Sequence, residues 1–453
     1  MKSSLIFGFA ASLYLAANPV NAQSLTSDTV VMGPSYANSV YYNVITGEKS
    51  SAAMNSWHMA HTTVTRDNCI RINHAAGIEV YAYPNGDNAQ FATMDTTGWH
   101  SWKKFYNDVH VHEMGALNQQ PNAGNMWDFS WGVYDPNTKE VTGDSLYLFV
   151  QLTGGKPSQF YKFMPIKQLV NGNLIFRLAT LDGTQDITDT LVTADFPNKS
   201  YKYYNFLNGE VNPEPNRDNW DLLFTRYYAP TPAPGGGTVM YLSMGVESKR
   251  GTRVSKILPG SWTDINDFLT ADGGGLHLNY IDSAYRFPTS TVGFNKDLTR
   301  IGSDWKSFNN TTGQWTVNSQ NMYLVEVNPR NGNDTEFVYL SFSEFGGSAS
   351  GRIVLNRYVV PRIPGAVSKS SKALNVSLFP NPANDFVVLQ FGKNLGNATV
   401  RLFSNTGAQV AQTQVSATEN TGTQLPINHL TTGIYRLTVE TAMGSQSFTF
   451  VKQ

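Results

Sequence analysis

The segment Asn107–Leu117, NDVHVHEMGAL, sets His110, His112 and Met114 at every second position. On an extended strand all three side chains share one face, with about 7 Å between neighbours. Imidazole and thioether sulfur both ligate haem iron, and a His-x-His pair chelates a divalent ion such as zinc or copper. His110 and His112 are therefore the candidate metal ligands, with Met114 or Glu113 beside them. Such a pair holds one ion but cannot clamp both faces of a porphyrin. A bis-axial haem needs one of these histidines and a distant partner, for which His100 and Met94 are the candidates. The competing reading is a solvated polar strand face without a ligand.

Six of the eight histidines lie between residues 58 and 112. Alternation puts His58 and His61 on opposite faces of a strand, with His61 where a second, similar segment has a core Phe. His61 reads as a hydrogen-bonded core histidine, and His74 precedes an Ala-Ala-Gly turn. His277 follows three glycines, which permit close backbone approach to a ligand, and joins the cofactor-binding candidates. Met240 and Met244 share a face and read as core packing. Trp99, Trp102 and Tyr106 could wall an apolar pocket, whereas Trp57, Trp127, Trp220 and Trp305 read as core.

These candidates sit among alternating apolar and polar runs that end in Gly, Asn, Asp or Pro. Such runs predict antiparallel strands joined by hairpins. VYYNVITGEKSSAAMNSWHMAHTT (40–63) matches KYYNFLNGEVNPEPNRDNWDLLFTR (202–226). NMWDFSWGVYDPNTKEVTGDSLYLFVQL (125–152) matches SDWKSFNNTTGQWTVNSQNMYLVEV (303–327). An internal duplication follows. YDPNTKEV and FNNTTGQW are matching turns, and TDINDFLTA (263–271) is the best short helix, with HSWKKFYND (100–108) as its equivalent. Residues 361–376 are rich in Pro, Gly, Ser and Lys and read as a linker. Beyond them, seven short alternating runs predict a small β-sandwich.

The net charge of −1 offers no basic stripe for nucleic acid or anionic lipid. The start, MKSSLIFGFAASLYLAANPVNA, reads as a secretory signal peptide ending near Ala22, and no other run is long enough to span a bilayer. The single cysteine, Cys69, excludes an intrachain disulfide and reads as a buried apolar side chain. Nucleophile-elbow, zincin, P-loop and Rossmann patterns are missing, so a non-catalytic protein is expected.

SLFPNPANDFVVLQF, RLFSNTGAQV, LTTGIYRLTVET and the terminal FTFVKQ resemble the C-terminal sorting domain of the type IX secretion pathway of Bacteroidetes. The resemblance covers 375–453 and implies contact with that machinery and export across the outer membrane. YYNFLNGE…NWDLLFTR (203–226) and DWKSFNN…VNSQNMYLVEV (304–327) resemble the HmuY family of secreted haem-binding proteins, as does CIRINHAAGIEVYAY (69–83) more weakly. That resemblance implies an all-β fold and haem or haem-protein partners. The expected layout is a signal peptide (1–22), two tandem HmuY-like antiparallel β domains (23–197 and 198–362), a linker (363–374) and an Ig-like sorting sandwich (375–453). The expected function is haem binding for iron acquisition by a secreted or cell-surface protein. The alternative is a secreted β-rich protein binding a polysaccharide, peptide or metal ion.

Overall fold

The computed structural model describes residues 25–453, apart from 66, 234, 258–261, 271–279, 282–283, 285–292, 328–334, 361–373, 405–407, 420 and 442–443. The signal peptide, most of the linker and His277 thus lie outside the described residues. The chain divides into two compact units, 1–361 and 362–453.

The first unit is almost entirely β. Its N-terminal part holds β1 (Thr26–Val31), β2 (Asn38–Tyr42) and β3 (Lys49–Ala53). Then come β4 (Met59–Thr62), β5 (Ile70–Ile72), β6 (Ile78–Ala82), β7 (Lys104–Phe105), β8 (Gly132–Asp135) and β9 (Glu140–Gly143). β10 (Tyr147–Thr153), β11 (Lys156–Gln168), β12 (Leu174–Thr180), β13 (Asp186–Leu191), β14 (Tyr201–Asn205) and β15 (Gly209–Val211) follow. The rest comprises β16 (Leu222–Pro232), β17 (Thr238–Ser248), β18 (Arg253–Ile257), β19 (Lys306–Asn309), β20 (Gln314–Val317), β21 (Met322–Val327), β22 (Glu336–Phe345) and β23 (Arg352–Val359). Two short helices are described, α1 (Ile265–Thr270) where one was expected, and α2 (Gly347–Ser350). At the position expected to match α1, the chain makes one 3-10 turn at Trp99–Ser101 and then enters β7.

The sheets reveal a duplication, with its segments exchanged. One sheet runs β13-β12-β11-β10-β6-β7, joined by the β8–β9 hairpin, and faces a second, β15-β14-β4-β5. The other pair is β1-β23-β22-β21-β18 and β17-β16-β2-β3. Strand by strand, β1–β3 occupy in the second pair the places that β13–β15 occupy in the first. One core therefore draws on residues 59–206, with Trp131, Phe149, Phe163 and Phe176 fully buried. The other draws on 30–54 and 222–355, with Tyr42, Phe224, Trp305 and Tyr323 fully buried. The expected division at 197/198 does not coincide with a division between cores. The first repeat is continuous, and the N-terminal strands cross over to complete the second.

Matching hydrogen bonds fix this exchange. Asn43 Oδ1 accepts from the Ile45 and Thr46 amides and its Nδ2 donates to the Asn219 carbonyl. Asn205 does the same for Leu207, Asn208 and the Ser56 carbonyl. Asp221 Oδ2 then accepts from the Val44 amide at 3.1 Å, and His58 Nδ1 accepts from the Phe206 amide at 3.1 Å. Trp220 meets Tyr41 edge-on at 5.0 Å, as Trp57 meets Tyr203 at 5.3 Å. His58 and Asp221 are thus equivalent acceptors, which requires a neutral imidazole at 58.

Two local expectations are corrected. Residues 109–114 form a turn, not a strand. Asp108 Oδ1 accepts from the His110 and Val111 amides, and Asn107 pairs through its side chain with Ile72 and Ala116. This Asx chemistry overrides the alternation. Trp127, expected in the core, is 40% exposed; Trp131, just before β8, fills the place that Trp305 takes before β19.

The second unit has the seven expected strands. β24 (Val376–Phe379), β25 (Phe386–Phe391), β26 (Gly396–Ser404), β27 (Gln409–Ala417), β28 (Gly422–Pro426), β29 (Gly433–Thr441) and β30 (Gly444–Lys452) form sheets β24-β25-β28 and β27-β26-β29-β30. They close over Leu389, Phe391, Leu437, Val439 and Phe450.

Candidate functional site

The His110–Met114 turn lies at the seam between the two repeats. His110 Nδ1 meets Asp297 Oδ2 at 3.0 Å, its carbonyl accepts from the Leu298 amide, and Thr299 Oγ1 donates to the Val109 carbonyl at 2.8 Å. The His110 ring is 62% exposed. His112 turns inward instead, into a cavity of about 50 Å³ lined by Arg71, Ser200 and Tyr201 of the first repeat and by Tyr41, Glu247 and Arg250 of the second. The two histidines therefore do not share a face, because the turn sends one to solvent and the other to the seam.

Within that cavity Arg71 Nη1, His112 Nε2 and Ser200 Oγ lack hydrogen-bond partners. Arg71 Nη2 donates to the Asp108 carbonyl at 3.1 Å. Burial, reinforced by the Arg71 and Arg250 guanidinium groups, pushes the His112 imidazole down to about 3. Burial pushes the Glu247 carboxyl up, with Arg71 opposing it. A polar space of this size suits water.

Met114 lines a larger cleft beside it, of about 340 Å³, with Val64, Pro121 and Phe129. Arg250 crosses this seam from the second repeat, pairing with Asp67 and, at 2.7 Å, with Glu113. Asp67 is buried and also accepts from the Cys69 amide. Removing Arg250 leaves a buried carboxylate unpaired, so Arg250→Ala is expected to destabilise the first unit by about 3 kcal/mol. Urea unfolding measures this, and Asp67→Asn in the same chain is expected to recover part of the loss. Equal loss in the single and double variants would show that the pair does not hold the seam.

The remaining candidates are dispersed. His100 is exposed and stacks on Trp99 at 3.9 Å. Met94, Trp99 and Trp102 pack around Tyr81 and Tyr83, while Tyr106 turns away to His74 and Tyr228. His61 Nε2 pairs with Gln168 Oε1 at 2.8 Å and His74 Nδ1 with the Ile78 carbonyl at 2.9 Å, both inside the core. Burial pushes the Cys69 thiol up to about 12, as suits an inert side chain. Among the described residues no three His, Cys, Asp or Glu side chains gather as a metal site. The inward-facing His112 does not sit in a bis-axial haem pocket. His112 opens on a space too small for a porphyrin, and no second histidine or methionine faces it there.

The surface feature that sequence reasoning missed is aromatic. On the β19–β20 hairpin, Phe308 and Trp315 are cross-strand partners, 46% and 40% exposed, with ring centroids 5.1 Å apart. Trp315 meets Phe345 edge-on at 4.9 Å, and Phe345 lies parallel to Tyr36 at 6.4 Å. Beneath them the Lys306 ammonium sits 4.7 Å from the Trp305 ring centre and 5.1 Å from that of Phe345, donating to the Met244 carbonyl. Burial pushes Lys306 down to about 7. Gly347 has φ +62°, and a Cβ there would come within 3.0 Å of the Trp315 indole nitrogen. The only sequence signal was FNNTTGQW itself, where a turn was flanked by two aromatics.

No curated protein matches the chain. A solved structure, dimeric latent PorU from Porphyromonas gingivalis, is 9% identical over 92% of this chain, at a TM-score of 0.14, too low to bear on the fold. This chain spans 34% of that protein's length. The HmuY resemblance has no counterpart in these matches. No helix among the described residues is long and apolar enough to cross a membrane. Residues 377–453 match the model of the secretion system C-terminal sorting domain, so the protein carries an address for the type IX secretion machinery and is exported to the cell surface or beyond it.

Proposed function

We propose that this is a secreted, non-catalytic binding protein whose ligand is a neutral polysaccharide, held on the exposed rings of the second repeat. The observation that carries the reading is the Phe308–Trp315 pair, two large rings kept at the surface by rigid packing beneath them. Exposed, contiguous aromatic surface marks an interaction site. A pyranose ring presents a face of C–H groups that stacks on an aromatic ring. The rim is neutral and hydrogen-bonding: Asn309, Asn310, Thr311, Thr312, Gln314 and Thr316 are all exposed. Such a rim suits hydroxyl groups rather than phosphates or carboxylates. Geometry lends haem no comparable support, since the described histidines are dispersed and no pair of them lines one pocket.

The test is binding of the full mature chain to an array of plant, host and bacterial polysaccharides, alongside a haemin titration followed in the Soret band. Retention on at least one neutral polysaccharide is expected, with affinity falling about 10- to 100-fold in Trp315→Ala, as the loss of one stacked ring implies. A silent array together with a saturable, red-shifted Soret band would sink the polysaccharide reading and restore haem.

A further inference from the structure

The hairpin that carries Phe308 and Trp315 has an equivalent in the first repeat. β8–β9 precedes β10 as β19–β20 precedes β21, and each hairpin follows a fully buried tryptophan, Trp131 or Trp305. The β8–β9 hairpin also presents rings. Trp127 lies across Tyr134 with centroids 5.4 Å apart and planes inclined by 33°. Its backbone carbonyl accepts from the Tyr134 amide at 2.9 Å, and an isolated bridge joins Asp128 to Val133. The tryptophan is thus fixed on the outer side of a three-stranded edge. Met126 beside it is exposed.

The means differ between repeats while the result is the same. Where β20 carries Trp315, β9 carries the buried Val141. The first repeat supplies its exposed indole from the segment before the hairpin instead. Around it Gln120, Asn122 and Asn137 are exposed hydrogen-bonding groups. Of the charges on the same hairpin, Asp128 and Asp135 accept from the Asn122 and Asn137 amides, Glu140 pairs with Lys167, and Lys139 is exposed. Burial would have been the simpler outcome for Trp127, as it is for Trp131 four residues later. An exposed indole against a half-buried tyrosine, beside the equivalent hairpin of a repeat that has diverged elsewhere, points to the same task.

We infer that Trp127 and Tyr134 form a second polysaccharide platform, so that each chain binds its polymer at two equivalent hairpins. The inference rests on the polysaccharide reading of Phe308 and Trp315. A protein with two platforms per chain cross-links a repeating polymer, which a single platform cannot do.

The experiment uses the full mature chain and an oligosaccharide cut from the polysaccharide that retains it. Calorimetric titration is expected to give two oligosaccharides per chain, one in Trp127→Ala, one in Trp315→Ala and none in the double variant. Turbidity of the parent polymer is expected to rise with wild type and to be lost in either single variant. Tyr134→Ser serves as a second variant should Trp127→Ala alter the hairpin, and thermal melting checks the fold of each. One oligosaccharide per wild-type chain, or a Trp127→Ala protein that still precipitates the polymer, overturns the second platform and leaves the first intact. No binding in wild type overturns both.

Discussion

A fragment of residues 55–215 is expected to fold alone, while one of residues 198–362 is not. Sequence matching makes the second fragment the natural unit, since it carries the Tyr-Tyr-Asn hairpin, the Trp220 strand and every later strand of its copy. Its core nevertheless needs the N-terminus. Val30, Met32, Val40, Tyr42 and Val44 are all buried in it, and β1 pairs with β23 over six residues from Thr26 to Val31. At about 2 kcal/mol for each buried side chain, their removal costs about 10 kcal/mol. That equals or exceeds the whole net stability of an ordinary domain. An ion-paired corner is lost as well: Arg357 binds Asp28 at 2.6 Å, and Tyr42 donates to the same carboxylate at 2.7 Å. By contrast, every fully buried member of the first core lies between 59 and 206. Circular dichroism and cooperative urea unfolding of the two fragments check this. A cooperative transition in 198–362 would refute the crossed layout. Adding residues 26–54 as a separate peptide is expected to restore order to 198–362, because hairpin and strand need only meet, not be joined.

What the sequence made legible was local. Alternation located the strands of both units, the helix at 265–270 and the paired hairpins, because period and turn residues act within a few positions. The matched Tyr-Tyr-Asn and Trp segments were likewise recognisable. Which hairpin serves which core was not, for VYYNVITGE and KYYNFLNGE are chemically interchangeable. Each fits the groove beside either tryptophan strand, and only tertiary pairing decides between them. The His110–Met114 turn was misread because alternation of polar and apolar residues mimics a strand. The deciding groups were the neighbouring Asn107 and Asp108 side chains: Asp108 accepts from the His110 and Val111 amides within the turn, and Asn107 reaches Ile72, far along the chain, and Ala116, beyond the turn. The exposed rings escaped notice because exposure of a tryptophan depends on what packs below it. Trp127 and Trp131 have the same composition around them and opposite fates.

The first unit is expected to unfold on mild acidification, between about pH 6 and pH 4. Four of its histidines are buried and held neutral. Burial pushes His58 and His74 down to about 4 and His112 to about 3, and holds His61 well below its ordinary value. In the unfolded chain each titrates near 6.5. Above that pH both states carry neutral imidazoles, so the stability is fully present. Below it the unfolded chain takes up protons that the native state refuses, and stability falls until the folded values are reached. Each histidine contributes about 1.4 kcal/mol per pH unit in that window, so four together remove about 5 kcal/mol per unit. A domain of ordinary stability is exhausted within two or three such units. His58 allows the slope to be dissected. Its Nδ1 does for the Phe206 amide what the Asp221 carboxylate does for Val44, so an amide oxygen can take its place. His58→Asn is expected to keep the fold at pH 7.5 and to lower the pH dependence of stability below pH 6 by about one quarter. Urea unfolding at half-unit pH steps gives both slopes. Equal slopes in wild type and variant would mean that His58 already titrates in the native state, and the equivalence of His58 with Asp221 as a fixed acceptor would fall with it.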